Sequence, residues 1–216
     1  MSFSKQWDKI YQNREQLNRW PWSDLISILI SYADLRNKKA CLELGSGAGG
    51  NIPFFLENQI NYFGIEGSNE AVNEIVYRFP NLKNNIIVGD FSKSIAFDFK
   101  FDLIFDRASI THNTLSSIIN TIDLIKSKLN KNGLFAGIDW FSNKHTDFEK
   151  GEKVDNYTKN NFKSGQFKNI GNVFFSDEEI LKELFKDFEF IYFQHKKIDI
   201  KKETLATYSF VVKKIV

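Results

Sequence analysis

Glu43, Gly45, Gly47 and Gly49 stand at alternate positions where a short apolar run, Ala40 to Leu44, breaks into a glycine cluster. A helical pattern follows at once. Strand, glycine loop and helix start together make a binding device. Glycines let the backbone turn tightly and let a ligand come close, and the first N–H groups of a helix lack partners. Gly45 to Gly50 also fits GxGxxG, so a dinucleotide is one reading of the ligand. Glu43 argues against it: a carboxylate repels a pyrophosphate and attracts an ammonium or a sulfonium. Glu66, 21 residues after Gly45, ends the next strand pattern, where an acid can take both hydroxyls of a ribose in either cofactor class.

Groups able to move a proton lie further along. His112 falls in DRASITHNT, directly after the fourth strand pattern, at the carboxyl edge where open α/β sheets bind ligands. His145 follows the fifth. Both are candidate bases, and a reaction without a base is a third reading. Asp106 ends the fourth strand and serves equally as a cap of the following turn or as an active-site acid. Asp139 is a further acid in reach, and Arg107 pairs with Asp106 or binds an acidic substrate. His195 falls in a terminal hairpin and reads as structural. Asp90-Phe91, after the third strand, reads as a ligand contact or as a turn with a packing aromatic.

These residues need a frame, and the hydrophobic pattern supplies one. Strands are expected at Ala40 to Leu44, Asn61 to Ile65, Asn85 to Val88, Phe101 to Phe105 and Leu134 to Trp140. Helices are expected at Asn51 to Asn58, Asn69 to Phe79 and Thr114 to Leu129, the last ended by Asn132-Gly133. Nearly continuous apolar strands alternating with helices imply a parallel sheet with right-handed crossovers and helices on both faces. After a helix at Asp177 to Phe185, two strand patterns, Phe188 to Ile200 and Leu205 to Val212, lie only a few residues apart. Parallel neighbours need a longer crossover, so this pair is an antiparallel hairpin. The expected architecture is a seven-stranded, mostly parallel, Rossmann-like sheet closed by that hairpin.

Ahead of this frame, residues 1–36 read as two helices. The first carries Trp7, Ile10, Tyr11, Leu17 and Trp20. The second runs from Asp24 to Leu35, capped by Ser23, with Leu25, Ile28, Leu29 and Tyr32 on one face. They form a plain packed cover or a lid in which Trp7, Tyr11 or Trp20 closes over a ligand. Residues 141–175 show weak periodicity, mixed charge and many Asn and Lys, as expected of a covering loop or insertion. One domain spans residues 1–216.

With these residues in view, the chain resembles the class I S-adenosylmethionine (SAM)-dependent methyltransferases from about Ala33 to Val212. Glu43-Leu44-Gly45-Ser46-Gly47-Ala48-Gly49 is similar to the family's first motif, Glu66 to its ribose acid and Gly89-Asp90-Phe91 to its adenine loop. The resemblance implies SAM as cofactor, with S-adenosyl-L-homocysteine as product. It places Glu43, Gly45, Ser46, Gly47 and Gly49 around the methionine part, Glu66 and Gly67 at the ribose, and Asp90 and Phe91 at the adenine. Asp106 sits where the substrate-facing motif begins and is expected to touch the cofactor as well. Trp7-Asp8-x-x-Tyr11 followed by Pro21-Trp22 is similar to the covering segment of small-molecule members.

The acceptor is narrowed mainly by what is missing. Asp106-Arg107-Ala108-Ser109 does not resemble the D/N-P-P-Y motif of amino-directed DNA or protein methyltransferases. A net charge of +2 without a basic stripe argues against a nucleic-acid partner. No Asp/Glu/His cluster has metal-site spacing, so no metal is expected. A small-molecule acceptor remains, methylated on oxygen or nitrogen. DRASITHNT and DWFSN are similar to stretches in methyltransferases that modify bacterial surface sugars. Competing readings are a NAD-dependent oxidoreductase and a SAM-binding subunit without catalysis. The first lacks a Y-x-x-x-K in the expected region: Tyr157 is followed by Asn161, and Tyr192 by Lys196 only within a strand.

Composition agrees with a globular chain of 216 residues, 42% hydrophobic and 26% charged. The start has charges and no apolar h-region, no apolar run reaches the roughly 18 residues that span a bilayer, and Cys41 is alone. A cytoplasmic protein without a membrane partner, monomer or homodimer, is expected.

Overall fold

The computed structural model describes residues 6–14 and 17–215. In chain order the strands are β1 (Ala40–Leu44), β2 (Asn61–Glu66), β3 (Ile86–Val88), β4 (Phe101–Arg107), β5 (Leu129–Phe141), β6 (Glu152–Lys153), β7 (Thr158–Asn160), β8 (Val173–Phe174), β9 (Phe188–Ile200) and β10 (Glu203–Lys214). The helices are α1 (Gln6–Gln12), α2 (Ser23–Tyr32), α3 (Ile52–Glu57), α4 (Asn69–Arg78), α5 (Leu115–Lys128) and α6 (Glu178–Leu184). Seven strands form one sheet in the order β3-β2-β1-β4-β5-β10-β9. β10 runs antiparallel to both neighbours, and the other pairs are parallel. The Rossmann-like sheet with its antiparallel hairpin is therefore as expected. Among the described residues no helix is long and apolar enough to cross a membrane.

Successive side chains of a strand point to opposite faces, so each strand feeds two cores. Cys41, Leu103 and Phe105 join Leu25, Phe55 and Ile75 under α2, α3 and α4. Leu42, Ile104 and Phe135 join Ile118, Ile122 and Leu181 under α5 and α6. Cys41 is free and fully buried. Ser68, Thr114 and Asp177 cap α4, α5 and α6 with their side-chain oxygens.

Several boundaries differ from the pattern. α5 ends at Lys128 and β5 begins at once, so Asn132-Gly133 lies inside the strand. There Asn132 takes a φ of 60° and the register against β4 shifts. The first helix is short. Residues 15 and 16, which the expected helix crossed, lie outside the described residues, as do residues 1–5 of the expected lid. From Leu17 to Trp22 the chain is not helical, and Trp20 is 76% exposed, so it closes over nothing. Ser23 is the first residue of α2 rather than its cap. Trp22 holds that position, its N–H donating to Asn51 Oδ1 at 3.2 Å. Tyr32 is exposed and stacks on Tyr192 of β9 at 4.4 Å.

The 141–175 segment is more ordered than its sequence pattern. β6, β7 and β8 form a small antiparallel sheet. Phe162, Phe167, Val173 and Phe175 pack beneath it against Phe141 at the end of β5. Asp147 accepts the Gln166 N–H at 2.6 Å and pairs with Lys150 at 2.7 Å, which fixes the 165–167 turn over the sheet edge.

Candidate functional site

At the carboxyl ends of β1, β2 and β4 lies a cavity of about 340 Å³. Trp7, Tyr11, Glu43, Gly45, Ser46, Gly47, Glu66, Gly67, Asp90, Phe91 and His112 all line it. Elements far apart in sequence thus bring most of the expected residues to one place. Gly49 does not line it; it turns the loop at φ 75° against Ile52 and Ile75.

Two of the glycines that line the cavity also sit where only glycine fits. Gly45 has φ 75°, and a Cβ there would overlap the Ser109 side chain. Gly47 has φ 53°, and its Cβ would lie 2.9 Å from Tyr11 Oη. Glu66 clamps the same loop from β2. Its Oε2 accepts the Gly47 N–H at 2.8 Å and its Oε1 the Ser68 N–H at 2.9 Å. Burial raises its pKa, and these N–H groups act against that rise.

Glu43 lies deeper. It accepts hydrogen bonds from the Tyr62 hydroxyl and from Asn51 Nδ2, the latter at 2.8 Å. Burial pushes its pKa up to about 8, with the two hydrogen bonds opposing. Asn51 therefore ties Glu43 to Trp22 of the N-terminal segment, a link that sequence reasoning missed. Burial and the nearby Glu66 and Glu43 raise the pKa of Tyr11, which keeps its hydroxyl protonated over the loop. Asp90 accepts the Ser92 hydroxyl at 2.6 Å, which sets the turn that presents Phe91.

Asp106 lines neither this cavity nor the one beside it. Its carboxylate is turned inward, accepting the N–H groups of Ser109 at 3.0 Å and Ile110 at 2.9 Å and the Trp140 indole N–H at 3.2 Å. Of the two roles its position allowed, the cap is the one seen. The expectation of Asp106 as a cofactor contact or catalytic acid does not match this geometry. Burial raises its pKa to about 7. Arg107 does not pair with Asp106, which points the other way; it pairs with Asp139 at 2.6 Å.

His112 ends the short turn held by Asp106. Its ring sits in an aromatic nest, 5.2 Å from Trp7 and 5.6 Å from Phe141. Burial lowers its pKa to about 4, so the imidazole is neutral at neutral pH, and its Nδ1 has no hydrogen-bond partner among the described residues. His145 lies elsewhere. Its Nδ1 accepts the Asp147 N–H at 3.0 Å, and its ring packs 5.2 Å from Phe167. His195 stacks on Tyr208 at 4.1 Å and bonds Ser142, as a structural residue would.

A second cavity, of about 310 Å³, adjoins the first. Arg107, Ala108, Phe141 and Gln166 line both, and His145 lines the second. Gln166 and Phe167 had no sequence signal, because the segment that carries them shows no periodicity.

The cradle fits SAM: two glycine positions leave room for close approach, and Glu66 offers oxygens to a diol. Residues 7–195 match the profile of a family described as a methyltransferase domain. No curated protein matches the sequence. Solved structures show the same fold at low identity. A SAM-dependent methyltransferase from Methanosarcina mazei is 16% identical, with a TM-score of 0.70 over 91% of this chain and 99% of that one. The N-methyltransferase NodS from Bradyrhizobium japonicum, in complex with S-adenosyl-L-homocysteine, is 12% identical, with a TM-score of 0.67 over 97% and 99%. A SAM-bound amino pentose methyltransferase from Micromonospora echinaspora is 12% identical, with a TM-score of 0.61 over 99% and 98%. The NAD reading of the glycine loop falls with the profile match, and the chain belongs to the SAM-dependent methyltransferases.

Proposed function

We propose that the chain transfers the methyl group of SAM to an oxygen or nitrogen of a small molecule, with a sugar of a bacterial surface polysaccharide as the acceptor class. One observation carries this reading: the second cavity, of about 310 Å³, opens beside the cofactor cradle and is large enough for a small ligand. Bound SAM supplies a methyl group already activated on a sulfonium. The protein's task is then to orient donor and acceptor and to keep water out. Glu43 and the 45–49 loop hold the methionine part, Glu66 and Gly67 the ribose, and Asp90 and Phe91 the adenine. The N-terminal segment serves as lid through Trp7 and Tyr11, and residues 141–175 cover the acceptor. His112, neutral and lining the cradle, is the favoured proton acceptor, and His145 is the alternative from the acceptor side. Among the relatives of like fold, one is named an N-methyltransferase and one an amino pentose methyltransferase, which supports a small polar acceptor.

Incubation with methyl-labelled SAM and a panel of monosaccharides and amino sugars tests the proposal. Label in a small-molecule product is expected. Tight SAM binding with label only on protein or nucleic acid overturns it.

A further inference from the structure

The second cavity is sided by an unusual set of charges. Asp139 lies near the end of β5 in a left-handed conformation, φ 56°, which a non-glycine residue adopts only under strain. Opposite it the register of β10 against β5 shifts between Tyr208 and Phe210. Bulges of this kind re-aim a side chain. Asp139 Oδ2 accepts from the Arg107 guanidinium at 2.6 Å, and Oδ1 from the Thr207 hydroxyl at 3.2 Å. The Asp24 carboxyl, from α2, faces it within hydrogen-bonding reach and raises its pKa, burial being the larger cause. Two carboxyls thus share one guanidinium.

That guanidinium is already neutralised on one side, although its Nε makes no hydrogen bond among the described residues. It lies 3.7 Å over the Trp22 ring, bonds Asp139 and has Asp24 Oδ1 3.9 Å from its Nε. Lys196 reaches the cavity only from the exposed β9 edge. His145, 4% exposed, has its Nδ1 occupied by the Asp147 N–H, while its Nε2 is buried with no hydrogen-bond partner among the described residues. Gln166, whose side chain acts on this ring after that of Asp147, lines both cavities. A buried imidazole nitrogen without a partner, lining the same cavity as two carboxyls, marks a place where a polar ligand completes the bonding.

We propose that this second cavity is the acceptor chamber and that Asp24 and Asp139 bind a protonated amine of the acceptor, which makes the chain an amine-directed methyltransferase. The inference rests on the small-molecule reading above and narrows it. A carboxylate left over from the Arg107 pairing attracts an ammonium and repels a phosphate or carboxylate. The Thr207 hydroxyl, Gln166 and His145 Nε2 are placed for the hydroxyls of the same molecule. The ammonium gives its proton to the carboxyl pair, which on this narrower reading replaces His112 as the proton acceptor. The freed lone pair forms the new N–C bond while the methyl–sulfur bond breaks with its electrons on sulfur.

Calorimetric titration of protein saturated with S-adenosyl-L-homocysteine tests this, with glucosamine and glucose as probes at pH 7.5. Glucosamine is expected to bind at least about tenfold more tightly. Asp139→Asn, and separately Asp24→Asn on the more exposed helix, are expected to remove that preference. Equal binding of the two sugars, no binding of glucosamine, or a preference that survives both substitutions overturns the proposal. Methylation of a hydroxyl of glucose would leave the small-molecule reading standing and sink this one. Failure of the unsubstituted protein to methylate any small molecule would instead overturn the reading beneath it.

Discussion

Replacing Glu66 by Gln perturbs the cradle while keeping its shape. Both carboxylate oxygens are in use, taking N–H groups from Gly47 at 2.8 Å and Ser68 at 2.9 Å. An amide offers one acceptor oxygen and two donor hydrogens. One backbone N–H must then face the amide NH₂ unpaired, and one ribose hydroxyl loses a charged acceptor. Hydrogen bonds to charged groups are worth about 1.5–3 kcal/mol each, and part is recovered by the remaining oxygen, so we expect a loss of about 1–3 kcal/mol in cofactor binding. That corresponds to a rise of roughly 5- to 150-fold in Kd for S-adenosyl-L-homocysteine. Loop stability falls as well, by about 2–4 °C in Tm per kcal/mol for a chain of this size. Calorimetric titration well below the melt, with a thermal scan as control, separates the two effects. A folded Glu66→Gln protein that binds within twofold of the parent would refute the assignment of Glu66 to the ribose.

Four shorter predictions accompany it. Gly47→Ala forces a Cβ to 2.9 Å from Tyr11 Oη at φ 53°, and we expect about a tenfold loss of affinity for S-adenosyl-L-homocysteine; unchanged affinity means Tyr11 does not close on the loop. Without cofactor, Tm should fall as pH rises from 6.5 to 8. The folded chain still holds protons on Glu43 and Asp106, with pKa values of about 8 and 7, that the unfolded chain has released. Glu43→Gln should flatten that slope, and a Tm that climbs over the window contradicts the burial argument. His112, with its pKa near 4, should give no acidic limb centred at 6.5 in the pH profile of kcat/KM; such a limb, lost in His112→Asn, would show the ring to be solvated. Asp106→Asn should lower Tm, because one acceptor cannot serve the donors of Ser109, Ile110 and Trp140. Turnover measured below the melt should stay within about tenfold of the parent, and a larger loss returns Asp106 to the chemistry.

The sequence by itself determined the frame and the cofactor. Buried parallel strands are apolar throughout and their crossovers must be helical, so periodicity alone located β1 to β4 and the main helices. The close β9–β10 spacing left only an antiparallel pair. The donor could be read because a cradle for SAM is local: Glu43, Gly45 and Gly47 lie on one strand and loop, and Glu66 is one βα unit away. What stayed hidden depends on non-local contact. The two- and three-residue strands of the 141–175 segment are too short to show alternation, so Gln166 and Phe167 came to the site unannounced. Whether Asp106 faced the cavity or the turn, and whether Arg107 met Asp106 or Asp139, depended on side-chain direction at a strand end, which spacing cannot supply. Only the tertiary structure set Asp24, from the N-terminal segment, against Asp139, from the strained end of β5. The acceptor chamber is made where distant segments meet, and so the chain's methyl donor is written in its sequence while its acceptor is a property of the fold.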